Sequence, residues 1–321
     1  YEMIVRLVGS EMCIRDRGNH PSKLNPKTDT SIFLAKEIQD KKYKIFYYDP
    51  KNLSIINSKV EALGFFIKFD YSKKKFFKII KRQKLQLSKC KFILIRQDPP
   101  FDLEYISSTY ILDTLKKKVK IINDPASIRN ISEKLYSAKY LKFMPSTIFS
   151  QNINEIKKFF KTHKKVILKP IHGFSGNDIH LLNKFKLKLI NKFIKKHKYI
   201  MCQKYLPKIS EGDKRVFLIN GKICGSISRI PKKGSFLSNM SKGAKPINIE
   251  LTKMEKKISK LIAQDLKKQN IYFAGIDFID QKLNGDINVT SPTGLKTLFD
   301  LSGINLAKIF WEELKLSLIH I

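Results

Sequence analysis

The stretch AGIDFIDQKLNGDINVTSPTG, residues 274–294, reads as two consecutive strands. Asp277 lies within the first, and Asp286 and Asn288 lie on the second, beyond a turn expected at Asn284-Gly285. Residues two apart on a strand project to the same face, so Asp286 and Asn288 point together and Asp277 joins them from the neighbouring strand. Three converging oxygen-bearing side chains suit magnesium, which takes a few carboxylates together with phosphate oxygens. Polar residues at ordinary strand ends give the same spacing, so the pattern alone leaves both readings open.

Upstream, strand-like and helix-like stretches alternate, which argues for an α/β architecture. Residues 29–41 read as a helix with Ile32, Ala35 and Ile38 on one side, followed by a strand over 44–48. Strands over 92–95 and 119–122 flank a helical stretch over 106–117, in the order of βαβ units of a parallel sheet. Asn130 and Glu133 have the spacing of a capping box for the helix that carries Lys134. Beyond Pro145 the pattern turns antiparallel, with strands over 166–169 and 179–182 and a hairpin of 214–219 with 222–229. Its Asn220-Gly221 centre suits a type I′ turn, in which both central residues need positive φ. A helix over 253–268 and strands over 272–279 and 286–289 complete the reading, with a domain boundary near residue 125.

Lys169, at the end of the apolar strand VILK, and Lys134 could each hold a phosphate as a point charge, though in so lysine-rich a chain a solvent-facing lysine is the plainer reading. The loop PIHGFSGND, residues 170–178, sets Gly173, Ser175 and Gly176 between two strands, as either a phosphate cradle or a simple turn. Residues 231–246, rich in Gly, Ser and Asn, read as a mobile lid or as a surface loop. The six histidines and four cysteines sit in no nucleophile motif, so the sequence points to a reaction driven by positioning and metal electrostatics.

The net charge of +35 raises the question of nucleic acid. The excess is spread along the whole chain, as in KKYK, LKKKVK and IKKHK, without an aromatic-plus-basic recognition module, so a lysine bias of composition is the preferred reading. Such a field still draws in anionic substrates. No apolar run reaches the ~18 residues needed to cross a bilayer. Cys13, Cys90, Cys202 and Cys224 form no C-x-x-C pair and read as buried thiols of a reducing, cytoplasmic compartment. Residues 1–17 and 316–321 fit neither the neighbouring periodicity nor any cap and look like non-native flanks, so a first strand is expected to be lost before Gly18, with residues 4–8 as a substitute.

The strings RQDPPFDLEYISSTYILD (96–113), INDPASIRNISEKLYSAKY (122–140), VILKPIHGFSGNDI (166–179), QKYLPKISEGDKRVFLINGK (203–222), SRIP (228–231) and GIDFIDQKLNGDINVTSPTG (275–294) resemble the successive signatures of bacterial glutathione synthetases, from about residue 18 to 314. The resemblance implies an N-terminal parallel-sheet α/β domain over 18–125, preceding a two-lobed ATP-grasp domain over 126–315. It implies an ATP-dependent carbon–nitrogen ligase that joins γ-glutamylcysteine to glycine through an acyl phosphate, the second step of glutathione biosynthesis. Two magnesium ions, or manganese in their place, are implied at Asp277, Asp286 and Asn288. By the same resemblance Lys134, Lys169, Gly173, Ser175 and Gly176 contact the ATP phosphates. Gln203, Tyr205 and Leu206 line the adenine slot, and Asp213 reaches the ribose side. Arg96, Arg215 and Arg229, with Ser291 and Thr293, receive the peptide carboxylates; Arg215 and Arg229 serve catalysis, and Arg229 faces the oxyanion. A cytoplasmic homotetramer with small-molecule substrates, and neither nucleic-acid nor membrane partners, is implied.

The sequence departs from the family where the first metal carboxylate, usually glutamate, is Asp286, where the phosphate loop has fewer glycines than usual, with Phe174, Asn177 and Asp178 present, and where LKTLFD follows SPTG. The rival readings are another ATP-grasp ligase and a basic nucleic-acid-binding protein. On the metal reading, Asp277→Ala is expected to abolish ligation while leaving the fold largely intact.

Overall fold

The computed structural model describes residues 11–15 and 21–319. By its internal contacts the chain divides into two compact units, one of residues 1–130, 266–273 and 290–321, the other of 131–265 and 274–289.

The first unit is built on strands β1 (Glu11–Arg15), β2 (Lys44–Ile56), β3 (Lys59–Phe69), β4 (Phe77–Gln86), β5 (Phe92–Ile95) and β6 (Lys120–Ile122), in the order β4-β3-β2-β1-β5-β6. β1 runs parallel to β2 and β5, and β5 parallel to β6. The expected parallel core is therefore present. The strand expected to be lost is formed by residues 11–15, while residues 4–8 lie outside the described residues. Two strands absent from the sequence reading, β3 and β4, extend the sheet as an antiparallel meander. β4, FKIIKRQKLQ, buries Phe77 and Leu85 but exposes Ile80, so it has no clean two-residue alternation to betray it.

Helix α1 (Thr30–Asp40) starts where the Asp29 carboxylate accepts from the Ile32 amide at 2.8 Å, and it buries Ile32, Leu34, Ala35 and Ile38. Helices α2 (Leu103–Asp113) and α3 (Pro125–Asn130) follow β5 and β6. Because α3 ends at Asn130, no capping box forms with Glu133. Lys134 instead immediately precedes a 3-10 segment, Leu135–Phe143. Cys202 is a buried thiol and Cys224 a half-buried one, but Cys90 is disulfide-bonded, against the expectation of free thiols throughout.

Asn123 ties the returning segment into this unit. Its Nδ2 donates to the Phe273 carbonyl at 2.7 Å, and its Oδ1 accepts from the amides of Tyr272 at 2.9 Å and Phe273 at 2.8 Å. A buried side chain thus does the work of a neighbouring strand. Asn123→Ala strands two donors and one acceptor, and we expect it to cost at least ~2 kcal/mol, read as a lowered urea midpoint.

In the second unit, β7 (Thr147–Ser150), β8 (Val166–Pro170), β9 (His180–Leu182) and β10 (Ile200–Lys204) form an antiparallel sheet in the order β7-β10-β8-β9. Helices α4 (Ile153–His163) and α5 (Leu187–His197) cover it, with Ile156, Phe160, Leu168, Ile190 and Phe193 in the shared core. A second sheet has the order β13-β12-β11-β14-β15. Its strands are β11 (Asp213–Ile219), β12 (Lys222–Ile230), β13 (Lys245–Asn248), β14 (Phe273–Ile279) and β15 (Lys282–Asn288), with α6 (Lys253–Lys268) between β13 and β14. Asn220 and Gly221 have φ of 50° and 76°, as a type I′ hairpin requires. The stretch read as a lid contains a 3-10 turn, Met240–Lys242, and runs into β13 at Lys245.

The turn expected at Asn284-Gly285 is elsewhere. β14 reverses into β15 at Asp280-Gln281, whose φ values of 48° and 61° fit a two-residue hairpin turn. Gly285 lies inside β15 with φ +85°, at a register shift that sets Asn284–Asp286 opposite Asp277. That φ favours glycine, and a Cβ there would also displace the methyl ends of Met201 and Met144, 2.4 and 2.8 Å away.

Helix α7 (Leu295–Ser302) and helix α8 (Leu306–Ile319) return to the first unit, where the Trp311 indole donates to the Leu34 carbonyl at 2.9 Å. Residues 316–319 continue α8. No helix among the described residues is long and apolar enough to cross a membrane.

Candidate active site

The second unit gathers seven charged side chains on facing elements. On β15, Asp286 and Asn288 share a face, and the register of β14 puts Asp277 on that face too. Lys134 Nζ lies 3.2 Å from one Asp286 oxygen, and Lys169 Nζ lies 3.7 Å from the other. Lys169 is held by Asn284, donating to its carbonyl and its side-chain oxygen at 2.9 Å each, and Lys134 donates to the Gly173 carbonyl at 2.6 Å. Burial lowers the Lys169 pKa below the ordinary lysine value, with Asp286 opposing and Lys134 reinforcing the shift. Burial pushes the Asp286 carboxyl up, but Lys134 and Lys169 outweigh it and hold the pKa below the usual value.

Beside this group lies a buried quartet. Arg215 makes a bidentate pair with Asp277 at 2.8 and 2.7 Å, and Arg229 makes another with Asp213 while reaching Asp277 at 3.1 Å. Asp213 and Arg215 are two apart on β11, Arg229 is the cross-strand partner of Asp213, and β14 lies on the other side of β11. Burial raises Asp277, yet Arg215 and Arg229 more than offset it and hold the carboxyl well below the carboxylate range. Burial raises Asp213, while Arg229 sits above its ordinary value because Asp213 and Asp277 outweigh its own desolvation.

Three carboxylates therefore face four cationic side chains, leaving one positive charge in surplus. That balance suits an anion such as a polyphosphate.

The donor set fits a hard cation. Asn288 donates its Nδ2 to the Gly275 carbonyl at 3.2 Å, a bond that does not engage its Oδ1, and the Asp286 side chain keeps 21% of its surface exposed. Asp277 uses three of its roughly four lone-pair positions on guanidinium groups. No group of three His, Cys, Asp or Glu among the described residues is placed for a metal.

Two expectations change here. Asp213 turns its carboxylate to Arg229 and is 2% exposed, so it serves the guanidinium rather than a ribose. Asp277→Ala is expected to destabilise the fold rather than leave it largely intact, because it would strip Arg215 of its bidentate partner in a buried setting.

The loop after β8 is a tight turn in which the Gly173 amide donates to the Pro170 carbonyl at 3.2 Å, and Ser175 and Gly176 have φ of 53° and 70°. A Cβ on Gly176 would lie 2.3 Å from the Asn239 side-chain oxygen, and Lys242 donates to Asn177 at 2.9 Å, so residues of the 231–246 stretch touch this loop. Gln203, on β10, is buried and donates to Thr147 at 3.0 Å. Tyr205 carries the Lys165 ammonium 4.2 Å over its ring, and Leu206 follows at the start of the 3-10 turn Pro207–Glu211.

Arg96, Ser291 and Thr293 belong to the first unit. Arg96 donates to Ser31 at 3.2 Å and to the Pro292 carbonyl at 2.9 Å, Ser291 donates to the Gln97 carbonyl at 3.2 Å, and Thr293 is exposed. Sequence reasoning missed Asn284 and Glu133. The signal for Asn284 was available: Leu283, Gly285, Ile287 and Val289 are all buried on one face, an alternation too regular for a turn to interrupt.

The family model described as the prokaryotic glutathione synthetase N-terminal domain matches residues 18–129, and its ATP-grasp domain matches residues 133–303. The glutathione synthetase of Agrobacterium fabrum is 32% identical over 308 residues, covering 92% of this chain and 94% of the relative. That of Buchnera aphidicola subsp. Baizongia pistaciae is 34% identical over 304 residues, covering 92% and 94%. Among solved structures, the ATP-grasp ligase PsnB in complex with a minimal precursor superposes with a TM-score of 0.62 at 12% identity, covering 96% of this chain and 99% of that one. This last likeness shows the fold alone. With both domain models matched in order and relatives similar over nearly their whole length, the chain belongs to the prokaryotic glutathione synthetase family.

Proposed function

We propose that the site performs the reaction of its family, the ATP- and metal-dependent ligation of γ-glutamylcysteine to glycine that yields glutathione. Lys134 and Lys169 place two positive charges where the nucleotide phosphates lie, under the loop of Gly173, Ser175 and Gly176. Gln203, Tyr205 and Leu206 line the adenine. Asp277, Asp286 and Asn288 hold two magnesium ions, with manganese as a substitute. Bound magnesium supplies charge stabilisation to the transferring phosphoryl oxygens.

The cysteinyl carboxylate attacks the γ-phosphorus, ADP departs, and an acyl phosphate forms. Glycine's amine then attacks the acyl carbon, and phosphate and a proton leave. Arg215 and Arg229 keep their carboxylate pairs through Nε and Nη2, so the remaining edge of each guanidinium meets the substrate carboxylate and the oxyanion. Arg96, Ser291 and Thr293 take the other peptide carboxylates. Closure of residues 231–246 over the phosphate loop excludes water, which would hydrolyse the acyl phosphate. The enzyme is read as a cytoplasmic homotetramer that acts on small molecules, with neither nucleic acid nor membrane as partner.

The observation that carries this reading is the Asp286 carboxylate gripped by Lys134 and Lys169 from two different elements, in a site with a surplus positive charge. Mass detection of glutathione after incubation with ATP, magnesium, γ-glutamylcysteine and glycine is expected to be positive. ADP release only with a different acid and amine would identify another ATP-grasp ligase and overturn the assignment.

A further inference from the structure

β15, which bears Asp286 and Asn288, is the edge strand of its sheet, so its outward amides need acceptors from elsewhere. One residue supplies two of them. The Ile287 amide donates to the Glu133 backbone carbonyl at 3.1 Å, and the Val289 amide donates to the Glu133 side-chain Oε1 at 2.9 Å. Ile287 and Val289 are two apart, so their amides point the same way, and Glu133 imitates a further strand with one main-chain and one side-chain oxygen. The pinned amides bracket Asn288, and Asp286 directly precedes them.

The next residue after Glu133 is Lys134, whose ammonium lies 3.2 Å from Asp286. Its carbonyl accepts from the Ser137 hydroxyl at 2.5 Å, which closes the turn into the 3-10 segment. One dipeptide therefore fixes the backbone of the cation-binding strand and delivers a phosphate-facing charge.

We propose that Glu133 is a positioning residue that sets the cation-binding face of β15 in register with Lys134. This rests on the reading of Asp286 and Asn288 as metal ligands. Removing the side-chain oxygen releases the Val289 amide and lets the end of β15 move, which spoils the orientation of Asn288 and Asp286 without touching either.

The test is Mn2+ titration in the presence of ADP, followed by electron paramagnetic resonance, on wild type, Glu133→Ala, Glu133→Gln and Asp286→Asn, with hydrogen exchange of the Val289 amide followed in parallel. We expect Glu133→Ala to weaken Mn2+ binding about 10–100-fold and to speed exchange at Val289. Glu133→Gln, which keeps an oxygen acceptor, is expected to restore both. Wild-type Mn2+ affinity in Glu133→Ala, or equal loss in Glu133→Gln, overturns the positioning role if Asp286→Asn does weaken binding. Unchanged affinity in Asp286→Asn overturns the metal reading itself. If Glu133→Ala does not fold, Glu133→Asp withdraws the acceptor by one methylene, and wild-type affinity in that variant is equally fatal.

Discussion

Asp277→Ala is expected to abolish glutathione formation and to destabilise the protein in the same step. Asp277 is 3% exposed and serves both guanidinium groups of the quartet, bidentate to Arg215 and at 3.1 Å to Arg229. Its removal leaves Arg215 without a counter-charge and Arg229 with Asp213 alone. Breaking a buried pair by deleting one partner costs about 3–5 kcal/mol. Asp277→Asn separates the two effects, because it keeps the volume and one acceptor oxygen while losing the charge. That variant is expected to fold, with a lower denaturation midpoint, and to remain inactive in the mass assay; wild-type turnover in a folded Asp277→Asn enzyme would discredit the metal role of this residue.

The same pair fixes the sign of the acid response. Asp277 and Asp286 both have carboxyls held below the usual range by cationic neighbours, despite burial acting the other way. A carboxyl whose folded pKa lies below its unfolded value, about 3.9, contributes its full stability above that value and loses it as pH falls through the folded pKa. Wild type should therefore lose stability steeply below about pH 4. Asp277→Asn should show a shallower acid limb in the same denaturation series.

The second large effect is expected at Asp286. Asp286→Asn removes the carboxylate that answers both Lys134 and Lys169, leaving two ammonium groups close together and the cation with one fewer charged ligand. A loss of about 3 kcal/mol of transition-state stabilisation corresponds to roughly a hundredfold fall in kcat/KM. Asp286→Glu, which installs the residue usual in the family, is expected to retain activity within about tenfold, or 1.4 kcal/mol. Asp286 is partly exposed on β15, which leaves a route for the extra methylene. An inactive Asp286→Glu beside an active Asp286→Asn would reverse the assignment of this position, since reach rather than charge would then be limiting.

Local chemistry made much of this protein readable from its residues alone. The apolar side of α1, the Asn220-Gly221 hairpin, the limits of α6 and the shared face of Asp286 and Asn288 depend on neighbours a few residues apart, where sequence and geometry are tightly coupled. Where two local signals competed, the reading failed. Asn284-Gly285 has the composition of a turn, yet the glycine's positive φ serves a bulge pressed against Met201. Asn130 and Glu133 have capping-box spacing, yet Glu133 is needed by the amide of Val289.

By itself, then, the sequence determined the residue types of the site, most of the strands and helices that carry them, and the family to which the ordered motifs belong. Only the tertiary structure decided the partners: Arg215 with Asp277 across 62 positions, Lys169 with Asn284 across 115, Asn123 with Phe273 across 150. Backbone propensity acts over a turn or two, whereas pairing between buried charges is chosen by which groups the packed sheets remove from water together. That choice exists only once the register of the strands is set.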